Sequence, residues 1–197
     1  MLRKIQKKFS DSARRKRGKL FKETLKPDAT DEFLDLGGGN GSHFNQIIAD
    51  EKIKNVTISD ISESDLKYAK EKFGYKVSLL GESKQLPFKD NEFDIVFCNS
   101  VIEHVTLPKK KIWTFKNTRE FKKISFQRQA EFSDEIRRIA KSYFVQTPNK
   151  YFIIESHTWL PGLIAFLPRN IQISIIKTFN HFWPKKNHSR LEFTHLQ

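Results

Sequence analysis

Residues 33 to 41 read Phe33-Leu34-Asp35-Leu36-Gly37-Gly38-Gly39-Asn40-Gly41, and this run constrains the fold more than any other segment. An apolar stretch carrying one carboxylate breaks into four glycines within five positions, and helical spacing follows. A strand that ends in such a turn brings backbone N–H groups close to a ligand, because glycine has no Cβ to hold it off. The run therefore predicts a strand, a ligand-cradling turn and then a helix over Ser42–Asp50 with Phe44, Ile47 and Ile48 on one side.

The same alternation continues downstream. Val56–Ser59 reads as a second strand ending at Asp60, Ser64–Phe73 as a helix, Val77–Leu80 as a third strand, and Phe93–Cys98 as the clearest buried strand. Lys109–Gln129 is polar and basic with interspersed aromatics and reads as an irregular or helical insertion. Phe132–Lys141 reads as a helix whose acidic start and basic end suit the helix dipole, and Ser142–Thr147 as a fifth strand. Strands and helices alternating at this pitch predict an α/β fold, a Rossmann-like three-layer sandwich with a mostly parallel central sheet.

Three regions are expected: a basic helical leader over 1–28, the sheet domain over 29–150, and an apolar, proline-broken segment over 151–197. In the leader, Leu2, Ile5, Phe9 and Ala13 step as one weak helical stripe. The run Arg14-Arg15-Lys16-Arg17 is expected to interrupt it, with a second short helix from Gly18 to Leu25 stopped by Pro27. Residues 1–26 hold eleven Lys/Arg against Asp11 and Glu23, so they carry most of the net charge of +13. Such a head suits phosphates, either of RNA or of an anionic membrane surface. One cysteine, Cys98, excludes a disulfide framework and a three-thiolate iron–sulfur cluster, and within a buried strand it reads as core packing. The start lacks the apolar run of a secretory signal, and no stretch of eighteen apolar residues occurs. A cytoplasmic protein, peripheral to a membrane at most, is the expectation.

The glycine spacing narrows the ligand. A nicotinamide-type loop needs G-x-G-x-x-G, but from Gly37 the third glycine place falls on Ser42, and from Gly38 the second falls on Asn40. Asp60 stands just past the second strand, where a carboxylate can accept both hydroxyls of a ribose; its competing role is a turn acid before Ile61-Ser62-Glu63. Further on come Gly81-Glu82-Ser83-Lys84-Gln85-Leu86-Pro87-Phe88, then Phe93-Asp94-Ile95-Val96, then Asn99-Ser100-Val101-Ile102-Glu103-His104.

With these blocks in this order, residues 30–150 resemble the class I S-adenosylmethionine-dependent methyltransferases of the type-11 kind. The resemblance implies S-adenosyl-L-methionine as cofactor. It implies that Asp35, Gly37, Gly38, Gly39 and Gly41 hold the methionine part, that Asp60 takes the ribose hydroxyls, and that Ile61 lies beside the adenine. Glu82 stands where the family usually has aspartate near the adenine amino group, with Ser83 next to it. Asn99 and Ser100 would line the pocket floor, and Glu103 and His104 would open the following helix beneath the substrate. The family has seven strands ending in an antiparallel hairpin. Only Leu191-Glu192-Phe193-Thr194 could begin a sixth strand, so the C-terminal edge hairpin is expected to be missing or truncated.

Methyl transfer is an in-line displacement in which positioning supplies much of the rate, and a base is required only when the acceptor starts protonated. His104 can serve as that base, because its pKa ordinarily lies near neutrality. Glu155 and His157 alternate onto one side of the chain after the fifth strand and could face the acceptor, or cap the sheet edge; a metal site there lacks a third ligand, so no metal is expected. The expected acceptor is a small-molecule or lipid-linked one. The alternatives are an RNA methyltransferase and a truncated protein that binds the cofactor with little activity.

Overall fold

The computed structural model describes residues 2–48, 53–81, 83–107, 117–147 and 167–182. Five strands, β1 (Phe33–Leu36), β2 (Val56–Asp60), β3 (Lys76–Leu79), β4 (Phe93–Asn99) and β5 (Ala140–Gln146), form one sheet in the order β3-β2-β1-β4-β5. Every neighbouring pair is parallel. The helices are α1 (Leu2–Leu25), α2 (Ser42–Ile48), α3 (Glu63–Phe73), α4 (Thr118–Ile139) and α5 (Arg169–Phe182), with a single 3₁₀ turn at Ile102–His104. This is the Rossmann-like sandwich read from the sequence, and among the described residues no antiparallel hairpin follows β5. Residues 191–194 lie outside the described residues.

The chain forms two compact units, Met1–Asn99 with Asp134–Gln146, and Ser100–Ser133 with Thr147–Gln197. In the first, register sets one core face. Phe33 lies beside Val56 and Ile95, and Ile58 and Phe97 flank Asp35. Phe21, Phe44, Ile47, Leu66 and Ala69 from α1, α2 and α3 pack on that face, and all are buried. Phe21 meets Phe97 edge-on at 5.2 Å and Phe144 at 5.6 Å. The opposite face buries Leu34, Leu36, Val96 and Cys98, so the cysteine is core as expected. The closing turn of α4 buries Ile136 and Ile139.

Local chemistry sets the boundaries. Ser62 caps α3 by accepting from the Asp65 N–H at 3.4 Å, acids occupy the first turn, and Gly74 ends the helix at φ 71°. Arg138 donates to Glu135, Asp90 and the carbonyls of Leu86 and Phe88, while Glu135 accepts from the Leu86 N–H at 2.8 Å. The Leu86-Pro87-Phe88 segment is thereby fastened to the end of α4. In the second unit, the Arg169 guanidinium stacks 3.6 Å from the centre of the Phe121 ring, and the Arg169 N–H donates to Thr118 Oγ1 at 3.2 Å.

Three expectations are corrected. α1 runs unbroken through Arg14–Arg17, because Arg and Lys are good helix formers and nothing there breaks the backbone. α4 is one helix of 22 residues rather than an insertion and a separate short helix, and β5 begins at Ala140 instead of Ser142. Glu103 and His104 sit in the isolated 3₁₀ turn rather than opening a helix.

Candidate functional site

The strand order reverses between β1 and β4, and open α/β sheets bind ligands at the carboxyl ends of strands beside such a reversal. The glycine run lies there. Gly37, Gly39 and Gly41 adopt φ of 74°, 55° and 71°, in the left-handed region where only glycine is unstrained. The N–H groups of Gly37 and Gly38 donate to the Ser59 carbonyl at 2.7 and 3.1 Å, which ties the turn to the end of β2. A Cβ on Gly41 would stand 3.3 Å from the Tyr75 ring.

Two carboxylates frame this turn. Asp60 accepts from the Gly39 N–H through Oδ2 and from the Ser62 N–H through Oδ1, each at 2.9 Å. It thus serves as a turn acid, with oxygen lone pairs left over for a ligand. Asp35 is buried against the loop: a Cβ on Gly38 would fall 2.1 Å from its Oδ2. Burial first, and the neighbouring Asp60 charge second, push the Asp35 carboxyl up to about 8. Tyr75 is pushed up to about 12 by burial and by Asp35, and its hydroxyl donates to Asn45 Oδ1 at 2.8 Å. A cation beside two close acids favours the ionised form of Asp35 and is held by it, whereas an anion there disfavours that form.

At the end of β4, Asn99 turns a buried Oδ1 with no hydrogen-bond partner, and so does its register neighbour Gln146 with Oε1. Ser100 follows at φ 58°, a conformation uncommon for serine and frequent at ligand sites. The sheet thus brings Asp35, the glycines, Asp60 and Asn99 to one edge, with Ile61 exposed just beyond β2. Ser83 is exposed and its hydroxyl accepts from the Gln85 N–H in a local turn. In the second unit, burial pushes Glu103 up to about 7, while the His104 side chain is exposed. Glu82, Glu155 and His157 lie outside the described residues.

Residues 34–117 match the sequence model of a family described as a methyltransferase domain. Over this stretch the chain is similar to that family. An uncharacterized protein from Methanocaldococcus jannaschii gives a curated match, 40% identical over 80 residues, which is 40% of this chain and 35% of that protein. Solved structures similar to this chain include a SAM dependent methyltransferase from Aquifex aeolicus, 25% identical with a TM-score of 0.42 over 64% of this chain and 58% of that one. A protein from Pyrococcus horikoshii is 23% identical with a TM-score of 0.43 over 62% and 49%. The chain spans about a third of the curated relative's length. No helix among the described residues is long and apolar enough to cross a membrane.

Sequence reasoning missed two residues at this edge, Arg17 and His43. The Arg17 Nη1 donates to His43 Nε2 at 3.3 Å. The signal was present: the stripe ending at Ala13 continues in steps of four through Arg17 to Phe21, so Arg17 stands on the packed face of α1.

Proposed function

We propose that this protein is a methyltransferase that uses S-adenosyl-L-methionine to methylate a small-molecule or lipid-linked acceptor. One observation carries the reading: the Asp35–Asp60 acid pair under a glycine turn, with Asp60 bonded to the Gly39 N–H. The residues fit the cofactor's chemistry. Its amino-acid end carries an ammonium and its sulfur is cationic, which suits two close carboxylates where a pyrophosphate would be repelled. The unpartnered Asn99 Oδ1 offers a further acceptor for an N–H donor.

When bound, the cofactor supplies an electrophilic methyl carbon on a good leaving group. Asp60 would hold ribose hydroxyls with its remaining lone pairs, and Ile61, Glu82 and Ser83 would serve the adenine end. Asp35 and the glycine backbone hold the amino-acid end, with Asn99 and Ser100 on the pocket floor. Where the acceptor arrives protonated, Glu103, His104 or His157 would take its proton. Glu103 suits that work, since a carboxyl pushed to about 7 can take and release a proton at neutral pH.

Calorimetric titration with S-adenosylmethionine, S-adenosylhomocysteine and NAD tests the reading. Binding of the adenosyl ligands and not of NAD is expected. Absence of heat with both adenosyl ligands refutes it. Asp60→Ala is expected to remove most of that affinity; unchanged binding in that variant would withdraw the ribose assignment.

A further inference from the structure

α1 approaches the ligand edge of the sheet. Arg17 lies against His43, the second residue after Gly41; Gly18 lies against Ile47, where an added Cβ would sit 3.4 Å from the side chain; and Phe21 lies against Phe44. α1 and α2 therefore pack against each other, with Arg17 meeting the first turn of α2 just after the glycine run and Phe21 in the core. One step towards the edge from Phe97 and Phe144, the rings on which Phe21 packs, stand Asn99 and Gln146.

The polar accounting at this place does not close. Among the described residues the buried Arg17 Nε has no hydrogen-bond partner, and its Nη1 meets an imidazole. Arg14 repels it. Burial, then Arg17 and Arg14, push His43 down to about 4, so its ring is neutral at pH 7 and offers no counter-charge. Arg17 is half-buried, so its guanidinium has lost part of its hydration, and among the described residues no anion replaces it. At the ends of β4 and β5, the buried Asn99 and Gln146 side-chain oxygens lack donors among the described residues.

We propose that Arg17 anchors an anion subsite at this edge, taking a carboxylate or phosphate oxyanion of a ligand whose N–H or O–H groups meet Asn99 and Gln146. The guanidinium fork suits both oxyanions geometrically. The ligand's identity rests on the methyltransferase reading: the oxyanion belongs either to an acidic methyl acceptor or to the amino-acid end of the cofactor.

The test compares the full chain with its R17Q and R17K variants. Each is titrated with S-adenosylhomocysteine and with 5′-methylthioadenosine, which lacks the amino-acid end. Inorganic phosphate is titrated separately against the His43 ring signal by NMR, assigned by its loss in H43Q. R17Q is expected to weaken an oxyanion-bearing ligand by about tenfold or more, the worth of a charge-assisted hydrogen bond, with R17K between. Loss for S-adenosylhomocysteine with 5′-methylthioadenosine unchanged assigns the oxyanion to the cofactor. Loss confined to phosphate assigns it to the acceptor. The subsite is overturned if R17Q leaves both S-adenosylhomocysteine and phosphate responses unchanged, or if the two adenosyl ligands weaken equally, which would make Arg17 a packing residue. Wild-type chain that responds to phosphate at His43 but binds neither adenosyl ligand would refute the cofactor reading and leave the subsite standing.

Discussion

Asp35→Asn is expected to stabilise the ligand-free protein while weakening its hold on the cofactor. Asp35 is buried beneath the glycine turn and pushed from the ordinary 3.8 up to about 8. Its folded value lies above its unfolded one. Between pH 4 and 8 the native chain therefore keeps a proton that the unfolded chain has released. The associated stability is fully present below the unfolded value and falls as pH rises towards the folded one, levelling off above it. At pH 7 the burial of this acid costs on the order of 4 kcal/mol, at about 1.4 kcal/mol for each tenfold departure in acidity. Asparagine has the same shape and no such cost, although its amide must still be buried, so a net gain of about 2 kcal/mol is expected.

Urea unfolding of wild type and D35N at pH 5, 7 and 9 reads this directly. The stability gap in favour of D35N should widen from pH 5 to pH 8 and then hold constant. Glu103, which also titrates near neutrality, is present in both proteins and cancels. In the wild type, a cationic ligand beside Asp35 favours the ionised form, so S-adenosylmethionine affinity should rise with pH towards 8 with release of a proton, and D35N should lose that dependence. A variant less stable than wild type at pH 9, or a gap that ignores pH, refutes the reasoning.

Gly38→Ala forces a Cβ to within 2.1 Å of the Asp35 carboxylate, so it should cost about 1–3 kcal/mol as overpacking and abolish adenosyl-ligand heat in calorimetry. Phe21→Ala removes a fully buried ring from the core shared by α1 and the sheet, and should lower unfolding stability by about 3–5 kcal/mol. Arg138→Ala strips the Leu86 and Phe88 carbonyls of a donor and frees Glu135; a loss of about 1–3 kcal/mol is expected, with faster amide exchange across 86–92.

What was legible follows from how locally each feature is encoded. The five strands and the glycine turn could be read because hydrophobic pattern and glycine chemistry act within a few residues, and the same holds for Asp60 closing β2. The continuity of α1 and α4 could not. A charge run or a polar, aromatic stretch says little about helix breaks when no proline or glycine marks one, and helix propensity then carries the chain through. Leu86-Pro87-Phe88 was legible as a block but not as a structural anchor, because its partner Arg138 lies about fifty residues away.

Arg17 shows the same limit at the site itself. Within residues 14–17 it is one of four cations, and a charge run in isolation reads as a solvated surface. Its distinction comes from position: one helical turn before Phe21, on the face that meets His43, it is carried to the ligand edge by the packing of α1. The acid pair and the guanidinium then set opposite charges at one end of the sheet. Asp35 and Asp60 favour a cationic group, Arg17 an anionic one, and the Asn99 and Gln146 oxygens lack donors. Such an edge favours ligands that carry both charges over ligands that carry either alone. It also makes the empty fold costly, since an acid is held protonated and a guanidinium unpaired until a ligand arrives. For that reason ligand binding should raise the unfolding temperature of the wild type more than that of D35N or R17Q. Equal increments in all three would show that neither charge takes part in binding.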